Sequence, residues 1–573
     1  MWHKSQWTVA QSTVRVSTAF LSIGDCQLST VNCRLSTVDY KRTVSTSEQL
    51  ARSAGVTGVA TLASRVLGLA RDQVLAALFG AGNDMDAFIV AFRIPNLVRD
   101  LFAEGAMSSA FVPTFTRYLT LHGKRDAWRL GNNVLNALLL VTGVLVAAGM
   151  LFAGPLVTMY AGDYASVPGK LTLTVRMTRV MLPFLTTVAI AAASMGMLNS
   201  LHHYFWPALA PAMFNVATIV CAFALVPLMP AIGEPRIMAI AIGALVGGVG
   251  QAAIQWPSLR REGFRYEATF DARDAGLKQV LLLMGPGTIG LAATQVNIFV
   301  NTLLATSQGT GAVSWLSYAF RLMYLPIGLF GVSIGTAVLP AVSRHAATHD
   351  AAGIRETLSR GLAMMLIVNV PATLGLIALA SPIVRLLFER GQFLPADTDA
   401  TAAAVRLYAA GLVGYSATRI ASPAFYALGR SRVPVLVSAG TIMVNVVLSI
   451  ALVRTMGFLG LALGTSIAAV VNGAALVWLL RRELEGLEGR RLTAVLVNVT
   501  VAAAVMAIAA LVADRVMNVF APGVTVTVQV VRLTVSIAAA LTVLGMTAKL
   551  LRIAEFDEVI AMLRVRVRKL LSR

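Results

Sequence analysis

Long apolar runs recur along most of the chain and are separated by short polar segments. Residues 134–154 and 499–513, for example, contain no charged side chain. A bilayer core takes about 20 apolar residues per helix. Lipid offers no hydrogen-bond partner to backbone groups, so such runs must be helical. The pattern therefore predicts an all-α polytopic membrane protein.

Hydropathy along the sequence predicts fourteen transmembrane helices. They lie near residues 54–78, 84–116, 131–153, 172–198, 207–230, 236–256, 276–305, 311–342, 354–380, 400–425, 433–453, 458–480, 493–513 and 528–550. Spans 2 and 8 are long and interrupted, so we expect their membrane portions to be shorter than the runs themselves.

Basic residues alternate between the loops that join these spans. One alternating set of loops contains eighteen Lys and Arg residues, whereas the opposite set contains six. Basic loops of multi-pass proteins face the cytoplasm. The alternation therefore predicts that both termini are cytoplasmic. It also accounts for the net charge of +20 without nucleic acid, which we do not expect as a partner.

Two short segments of the chain resemble each other. AFRIPNLVRDLF at 91–102 and AFRLMYLPIGLF at 319–330 share A-F-R, seven intervening residues and L-F. They fall in spans 2 and 8, and this even offset gives both the same direction across the membrane. Such repeats are the usual construction of alternating-access transporters. We therefore expect two pseudo-symmetric six-helix lobes plus two C-terminal helices.

This reading divides the chain into five parts. They are a Ser/Thr-rich N-terminal extension (1–52), an N-lobe (53–270), a C-lobe (271–482), spans 13 and 14 (483–551) and a basic cytoplasmic tail (552–573). The extension repeats LSTV and lacks the apolar core of a signal peptide. We interpret it either as a disordered tail or, preferably, as the product of a start codon assigned too far upstream.

The sequence lacks the usual motifs of enzymes and metal proteins. Its three cysteines form no metal-type cluster, and neither a P-loop nor H-E-x-x-H occurs. GVSIG at 331–335 matches G-x-S-x-G, but it lies in an apolar helix rather than at a strand-to-helix elbow. We therefore expect neither a cofactor, nor a metal, nor bond-breaking catalysis.

Charged residues are nevertheless concentrated in three predicted spans, although only 13% of the chain is charged. They include the arginines Arg65, Arg71, Arg93, Arg99 and Arg321 and the acids Asp72, Asp86, Asp100 and Glu104. One arginine facing lipid at the bilayer centre costs about 2.5–3.5 kcal/mol. Five would cost roughly 12–18 kcal/mol, which is comparable with the stability of a whole domain. These side chains are therefore not expected to face lipid.

Helical phase suggests where they point instead. At about 100° per residue, four charges of span 2 share one narrow stripe, namely Asp86, Arg93, Asp100 and Glu104, whereas Arg99 falls off it. Arg65 and Asp72 share a stripe on span 1. One interpretation is that acids and arginines simply pair and lock the helices together. The other is that both stripes face a water-filled interior, where the surplus arginines bind an anionic, phosphate-bearing substrate.

Three segments carry a family resemblance: SRVLGLARD (64–72), FGAGNDMDAF (79–88) and IPNLVRDLFAEGAMSSAFVP (94–113). They closely resemble the MurJ/MviN family of lipid II flippases, within the multidrug/oligosaccharidyl-lipid/polysaccharide exporter superfamily. SYAFRLMYLPIGLFGVSIGTAVLP (317–340) is similar to the second signature of that family. The resemblance covers about residues 54–550.

The resemblance implies a function and a location. It implies that lipid II, an undecaprenyl-pyrophosphate-linked peptidoglycan precursor, moves from the inner to the outer leaflet of the bacterial cytoplasmic membrane around a cationic cavity. Spans 13 and 14 are similar to the pair that forms a groove for the lipid tail. The expected partners are lipid II, membrane lipids and enzymes of cell-wall synthesis.

The resemblance also implies site residues. Family arginines match Arg65, Arg71, Arg99 and Arg321, and the cavity acid of the family matches Asp86. With Arg93 and Glu104 from the stripe, these residues form the predicted substrate-binding set.

The match is not complete. Phe320 and Tyr324 stand where some members have acids or amides, and Asp100 stands where some have a basic residue. These departures put an ion-pair gating role for the Arg321 patch in doubt. The alternatives left open are a flippase for another polyprenyl-linked glycan, a cation-coupled drug antiporter, and a membrane scaffold for cell-wall enzymes.

Overall fold

The computed structural model describes residues 58–100, 107, 110–328, 332–553 and 555–556. The predicted extension and most of the predicted basic tail lie outside the described residues.

Helix α1 covers residues 58–79. The helices that follow are α2 (Asn83–Arg99), α3 (Val112–Leu121), α4 (Gly123–Leu151), α5 (Ala153–Ala161), α6 (Lys170–Met181), α7 (Phe184–Ser200), α8 (Phe205–Leu225), α9 (Met238–Ala253), α10 (Trp256–Arg261), α11 (Ala275–Thr306), α12 (Ala312–Pro326), α13 (Val332–Ala347), α14 (Ala351–Phe388), α15 (Pro395–Ala409), α16 (Leu412–Ala427), α17 (Arg432–Met456), α18 (Phe458–Glu483), α19 (Gly489–Phe520) and α20 (Val526–Leu550).

The part of the chain that the structure describes contains nine helical segments long and apolar enough to cross a bilayer. They are Gly123–Leu151, Lys170–Ser200, Phe205–Leu225, Met238–Arg261, Ala351–Phe388, Arg432–Met456, Phe458–Glu483, Gly489–Phe520 and Val526–Leu550. The prediction of an all-α, multi-pass membrane protein is thereby confirmed. The count of fourteen stays a prediction, because several other predicted spans correspond to short or charged helices such as α1, α2 and α12.

Predicted spans 2 and 8 are both interrupted at the same place in the repeat. Span 2 divides into α2 and α3, and a π-helical turn begins at Asp100. Span 8 divides into α12 and α13, with a π-helical turn at Ile327 and Gly328. Asp100 and Gly328 occupy equivalent positions in the two repeat sequences. Irregular backbone inside a membrane occurs where it is buried in protein or lines a cavity, so the shared break supports the repeat.

Predicted span 10 (400–425) is not one continuous helix, so the prediction is wrong on this point. Its residues belong to α15 and α16, which meet at Ala410 and Gly411. A Cβ on Gly411 would lie 2.8 Å from the Cα of Ser466 on α18. The glycine thus allows two helices to approach closely, as small residues do in membrane proteins.

The segment that joins α10 to α11 is fixed along α4. Residues 264–271 are neither helix nor strand. The side-chain amides of Asn132, Asn133 and Asn136 on α4 form hydrogen bonds of 2.8–3.2 Å with the backbone of this segment. An asparagine amide both donates and accepts, so it can pair with a peptide group as another peptide would. The connection between the predicted lobes therefore has a defined path.

Large apolar side chains remain exposed on the outer helices. Met443 and Val447 on α17, Ile508 on α19 and Leu541 on α20 are all more than half exposed. In water such a surface would promote association. In a bilayer it contacts acyl chains, which is the arrangement a multi-pass protein requires.

Candidate functional site

A cavity of about 870 Å³ lies among α1, α2, α8, α11, α12, α15, α16 and α18. Much of its wall is aromatic or aliphatic. Five charged residues line it: Arg71, Arg93, Asp100, Arg321 and Arg419. Four guanidinium groups against one carboxylate give the cavity wall a positive surplus. Such a surplus attracts anions and disfavours cations.

Two of these arginines share a single acid. Asp72 on α1 accepts hydrogen bonds from Arg71, at 2.8 Å from Nη2, and from Arg321 on α12. The exposed fractions of the Arg71, Asp72 and Arg321 side chains are 12%, 7% and 45%. The three side chains therefore carry a net charge of +1, and the Arg321 side chain is the most exposed of them to the cavity. The simple pairing interpretation, with one acid for each arginine, does not describe this cluster.

Arg93 holds the repeat position equivalent to Arg321, and both side chains line the same cavity. Within the described part of the chain, Arg93 Nε is buried and has no hydrogen-bond partner. The side chain of Tyr160 lies close by, and it is neutral. Arg93 thus carries a positive charge that the described residues do not neutralise.

Arg99 is paired locally instead. Its Nη2 lies 2.6 Å from Oδ1 of Asp100, and Nε lies 3.0 Å from the same oxygen. Gln295 on α11 donates to the second oxygen of Asp100 at 3.3 Å. Asp100 lines the cavity, whereas Arg99 does not. The charge of Arg99 is therefore compensated beside the cavity.

The remaining arginine of the predicted set lies elsewhere. Arg65 is exposed on α1, and its guanidinium group packs against Gly328, where an added Cβ would overlap Nη1. Arg65 thus reaches the π-helical turn that follows α12. Glu104, the last member of the set, lies outside the described residues.

Asp86 lies in a different environment from the cavity arginines. Its side chain is fully buried and forms an ion pair with Lys170 on α6, with Nζ 3.0 Å from Oδ2. It also accepts from the backbone N–H of Gly311 at 2.7 Å and of Ser314 at 3.0 Å. The hydroxyl of Ser314 adds a fourth hydrogen bond at 2.7 Å. A carboxylate here satisfies N–H groups at the start of α12 and complements the helix dipole.

Further contacts close this end of the cavity. We call it the closed end: residues 77–86 together with 308–314 and 391–393. Asn83 accepts from Thr310 at 2.8 Å, and the N–H of Gln392 donates to the carbonyl of Ala77 at 2.9 Å. Asp86 belongs to this closed end and does not line the cavity. Its predicted contact with substrate stays a prediction.

Sequence reasoning missed two charged residues. Arg419 lines the cavity, although it carries the same signal as Arg93, an arginine inside an apolar predicted span. Lys170, two residues before predicted span 4, begins α6, and its ammonium group is buried. Only its distant partner Asp86 explains that burial.

Among the described residues, no group of His, Cys, Asp and Glu is arranged to hold a metal ion.

Comparison with known proteins identifies the fold. A solved structure described as lipid II flippase MurJ in an inward closed conformation superposes with a TM-score of 0.71, at 25% identity, covering 86% of this chain and 98% of the other. An inward-facing multidrug resistance MATE family transporter of the MOP superfamily gives 0.62 at 16% identity, over 74% and 94%. The second likeness shows the fold alone.

Sequence comparison is more specific. The model of the family described as lipid II flippase MurJ matches residues 75–531. A probable lipid II flippase MurJ of Bdellovibrio bacteriovorus is 36% identical over 77% of this chain and 84% of its own length. A lipid II flippase MurJ of Burkholderia cenocepacia is 34% identical over 74% and 82%.

The helical fold around a cationic cavity thus defines a multi-pass membrane protein whose fold is like that of the MurJ and MATE structures. Within that class, the chain belongs to the lipid II flippase MurJ family. The family resemblance predicted from the sequence is confirmed.

Proposed function

We propose that the protein moves lipid II from the inner to the outer leaflet of the bacterial cytoplasmic membrane by alternating access. Curated relatives that share about a third of its sequence are named for this activity. The observation that carries the proposal is the positive surplus of the cavity wall. A pyrophosphate-linked substrate supplies the negative charge that this wall lacks. The movement breaks no covalent bond, so the protein acts as a transporter rather than an enzyme.

The pyrophosphate meets Arg71 and Arg321 in this proposal. Asp72 holds both guanidinium groups together, yet each arginine has five N–H donors, and Asp72 uses only some of them. Guanidinium donors suit phosphate oxygens in geometry and charge. Arg93 adds a further positive charge. Arg65, Arg99 and Asp86 do not line the cavity and would contact substrate in other conformations of the cycle.

The proposal includes an orientation. The charge-rich loops place both termini in the cytoplasm, and the chain crosses the membrane fourteen times in two six-span lobes plus spans 13 and 14. The closed end then faces outward, because α12 begins there and α13 leads to a basic loop. Opening toward the outside requires the contacts of the closed end to separate.

The polyprenyl tail stays in lipid along α19 and α20. These two helices are joined near one end by an ion pair in which Arg532 donates to both oxygens of Asp514, at 2.7 and 3.0 Å. Exposed aliphatic side chains such as Ile508 and Leu541 cover the two helices. An apolar surface on these helices fits the apolar tail of the substrate, and the cationic cavity fits its charged head.

Depletion of the protein from its host provides the test. Lipid II should then accumulate and become inaccessible to reagents outside the cell membrane, and the wild-type gene should restore access. The Arg321→Gln variant, which leaves Asp72 paired with Arg71, should insert normally but restore access only weakly. Arg406→Gln, which removes an exposed arginine outside the cavity, is the matched control. Unchanged lipid II accessibility after depletion would contradict the proposal.

A further inference from the structure

A second positively charged position in the cavity lies opposite the Asp72 cluster. Arg419 on α16 is exposed, and its Nη2 donates a hydrogen bond of 2.7 Å to the hydroxyl of Tyr324 on α12. Both residues line the cavity. Tyr324 is neutral, and in the described part of the chain no carboxylate forms an ion pair with Arg419. The full charge of this guanidinium group therefore remains available to a ligand.

The pair is held in a fixed aromatic setting. The Tyr324 ring stacks on Phe320 with centroids 5.8 Å apart, and Phe320 meets Tyr408 edge-on at 5.5 Å. Tyr324 follows Arg321 by three residues, or about 4.5 Å along the helix axis. Arg321 reaches toward α1, whereas Tyr324 reaches toward α16. One turn of α12 thus supports two separate cationic positions.

The donors of this second position suit a carboxylate. Tyr324 accepts from Arg419, so its own hydroxyl proton is free to be donated to a ligand. A planar guanidinium group and a neighbouring hydroxyl can then bind the two oxygens of one carboxylate. A hydrogen bond that only held α12 and α16 together could be formed by uncharged side chains. An arginine without a counter-charge at membrane depth is costly, so the charge of Arg419 requires a further explanation.

We infer that Arg419 and Tyr324 form a second anion subsite, which takes a carboxylate of the peptide carried by the substrate. The inference rests on the proposed function, since the pyrophosphate then occupies Arg71 and Arg321. A substrate with negative groups at two separated points would be held at both. The subsite would let the cavity distinguish a peptide-bearing lipid from a bare polyprenyl pyrophosphate.

Binding to the full chain in lipid nanodiscs, followed by native mass spectrometry, tests the subsite. The three probes are lipid II with free peptide carboxylates, lipid II with those carboxylates amidated, and undecaprenyl pyrophosphate. Arg419→Gln should weaken binding of the first probe about tenfold more than binding of the other two. Arg419→Lys and Tyr324→Phe should weaken the first probe less. Arg321→Gln should weaken all three.

Retained binding of the other two probes shows that Arg419→Gln is folded, and Arg406→Gln controls for loss of one positive charge. Equal weakening of all three probes by Arg419→Gln would overturn the subsite, because Arg419 would then contact the pyrophosphate. No weakening of any probe would also overturn it. A wild-type protein that binds none of the three probes would overturn the proposed function itself.

Discussion

The closed end and the cavity both place charged side chains inside an apolar protein, but they neutralise them differently. At the closed end, one acid meets one base, and Asp86 accepts three further hydrogen bonds from Gly311 and Ser314. In the cavity, Arg71 and Arg321 share Asp72, and Arg93 and Arg419 have no acid among the described residues. A balanced buried group stabilises helix packing, whereas a surplus facing open space is available to a ligand.

The largest expected effect comes from unbalancing the closed end. Asp86→Asn would leave the Lys170 ammonium group buried without its counter-charge, which typically costs about 3–5 kcal/mol. Thermal unfolding of the purified protein should therefore shift to lower temperature. Asp86→Asn/Lys170→Met should recover part of the loss, because no charge is then left unpaired. Wild-type stability of Asp86→Asn combined with lost transport would instead favour the predicted role of Asp86 in substrate binding.

In the cavity, the same kind of change should affect binding rather than stability. Arg321→Gln leaves Asp72 paired with Arg71, and the Arg321 side chain is already 45% exposed. We expect lipid II binding to weaken by about ten- to a hundredfold, with little change in thermal unfolding. A large fall in unfolding temperature would show that Arg321 is structural, and the contrast between the two regions would then disappear.

Arg93 allows a comparison between repeat-equivalent positions. Arg93→Met removes a buried Nε that has no partner among the described residues, so it should raise the free energy of unfolding by about 1 kcal/mol. Arg321→Met, the matched change, removes one partner of Asp72 and should not stabilise the protein. Thermal unfolding of the two variants measures the difference. Equal shifts would indicate that Arg93 is neutralised in the native protein after all.

The smallest effect is expected at the ion pairs of Glu262, a loop residue that follows α10. Lys124 and His203 both contact Glu262, and hydrogen bonds first from Lys124 and then from His203 lower the pKa of this carboxyl. A lowered pKa stabilises the folded state at neutral pH, and that stability is lost as pH falls below about 4. Glu262→Gln should therefore cost less than about 1 kcal/mol at pH 7 and nothing in strong acid. The measurement is unfolding across pH. A larger cost would show that a partly exposed ion pair can stabilise the protein as much as the buried pair of the closed end, and burial would then not explain the difference between them.

Much of the fold could be predicted because membrane insertion depends on local composition. The apolar runs of α4, α17 and α19 indicate helices wherever they lie in the fold, since lipid leaves no other option. The interruptions of spans 2 and 8 were also visible as prolines and charges. The division of span 10 at Gly411 was not visible, because the break depends on the close approach of Ser466 from another helix.

The candidate site was predicted less completely. Arg71, Arg93 and Arg321 could be selected because an arginine in an apolar run requires an explanation. Applied to every span, the same reasoning would have included Arg419. Asp86 met that criterion equally well, yet it lies in a closed ion pair rather than in the cavity wall.

The sequence by itself determined that this is a multi-pass helical membrane protein with charged residues concentrated in a few of its spans, because composition and helical period are local properties. Only the tertiary structure decided which charges are neutralised. The partners lie far apart in the chain: Asp86 and Lys170 by 84 residues, Arg419 and Tyr324 by 95, and Arg321 and Asp72 by 249. Electrostatic energy depends on distance in space, and that distance exists only once the helices have packed.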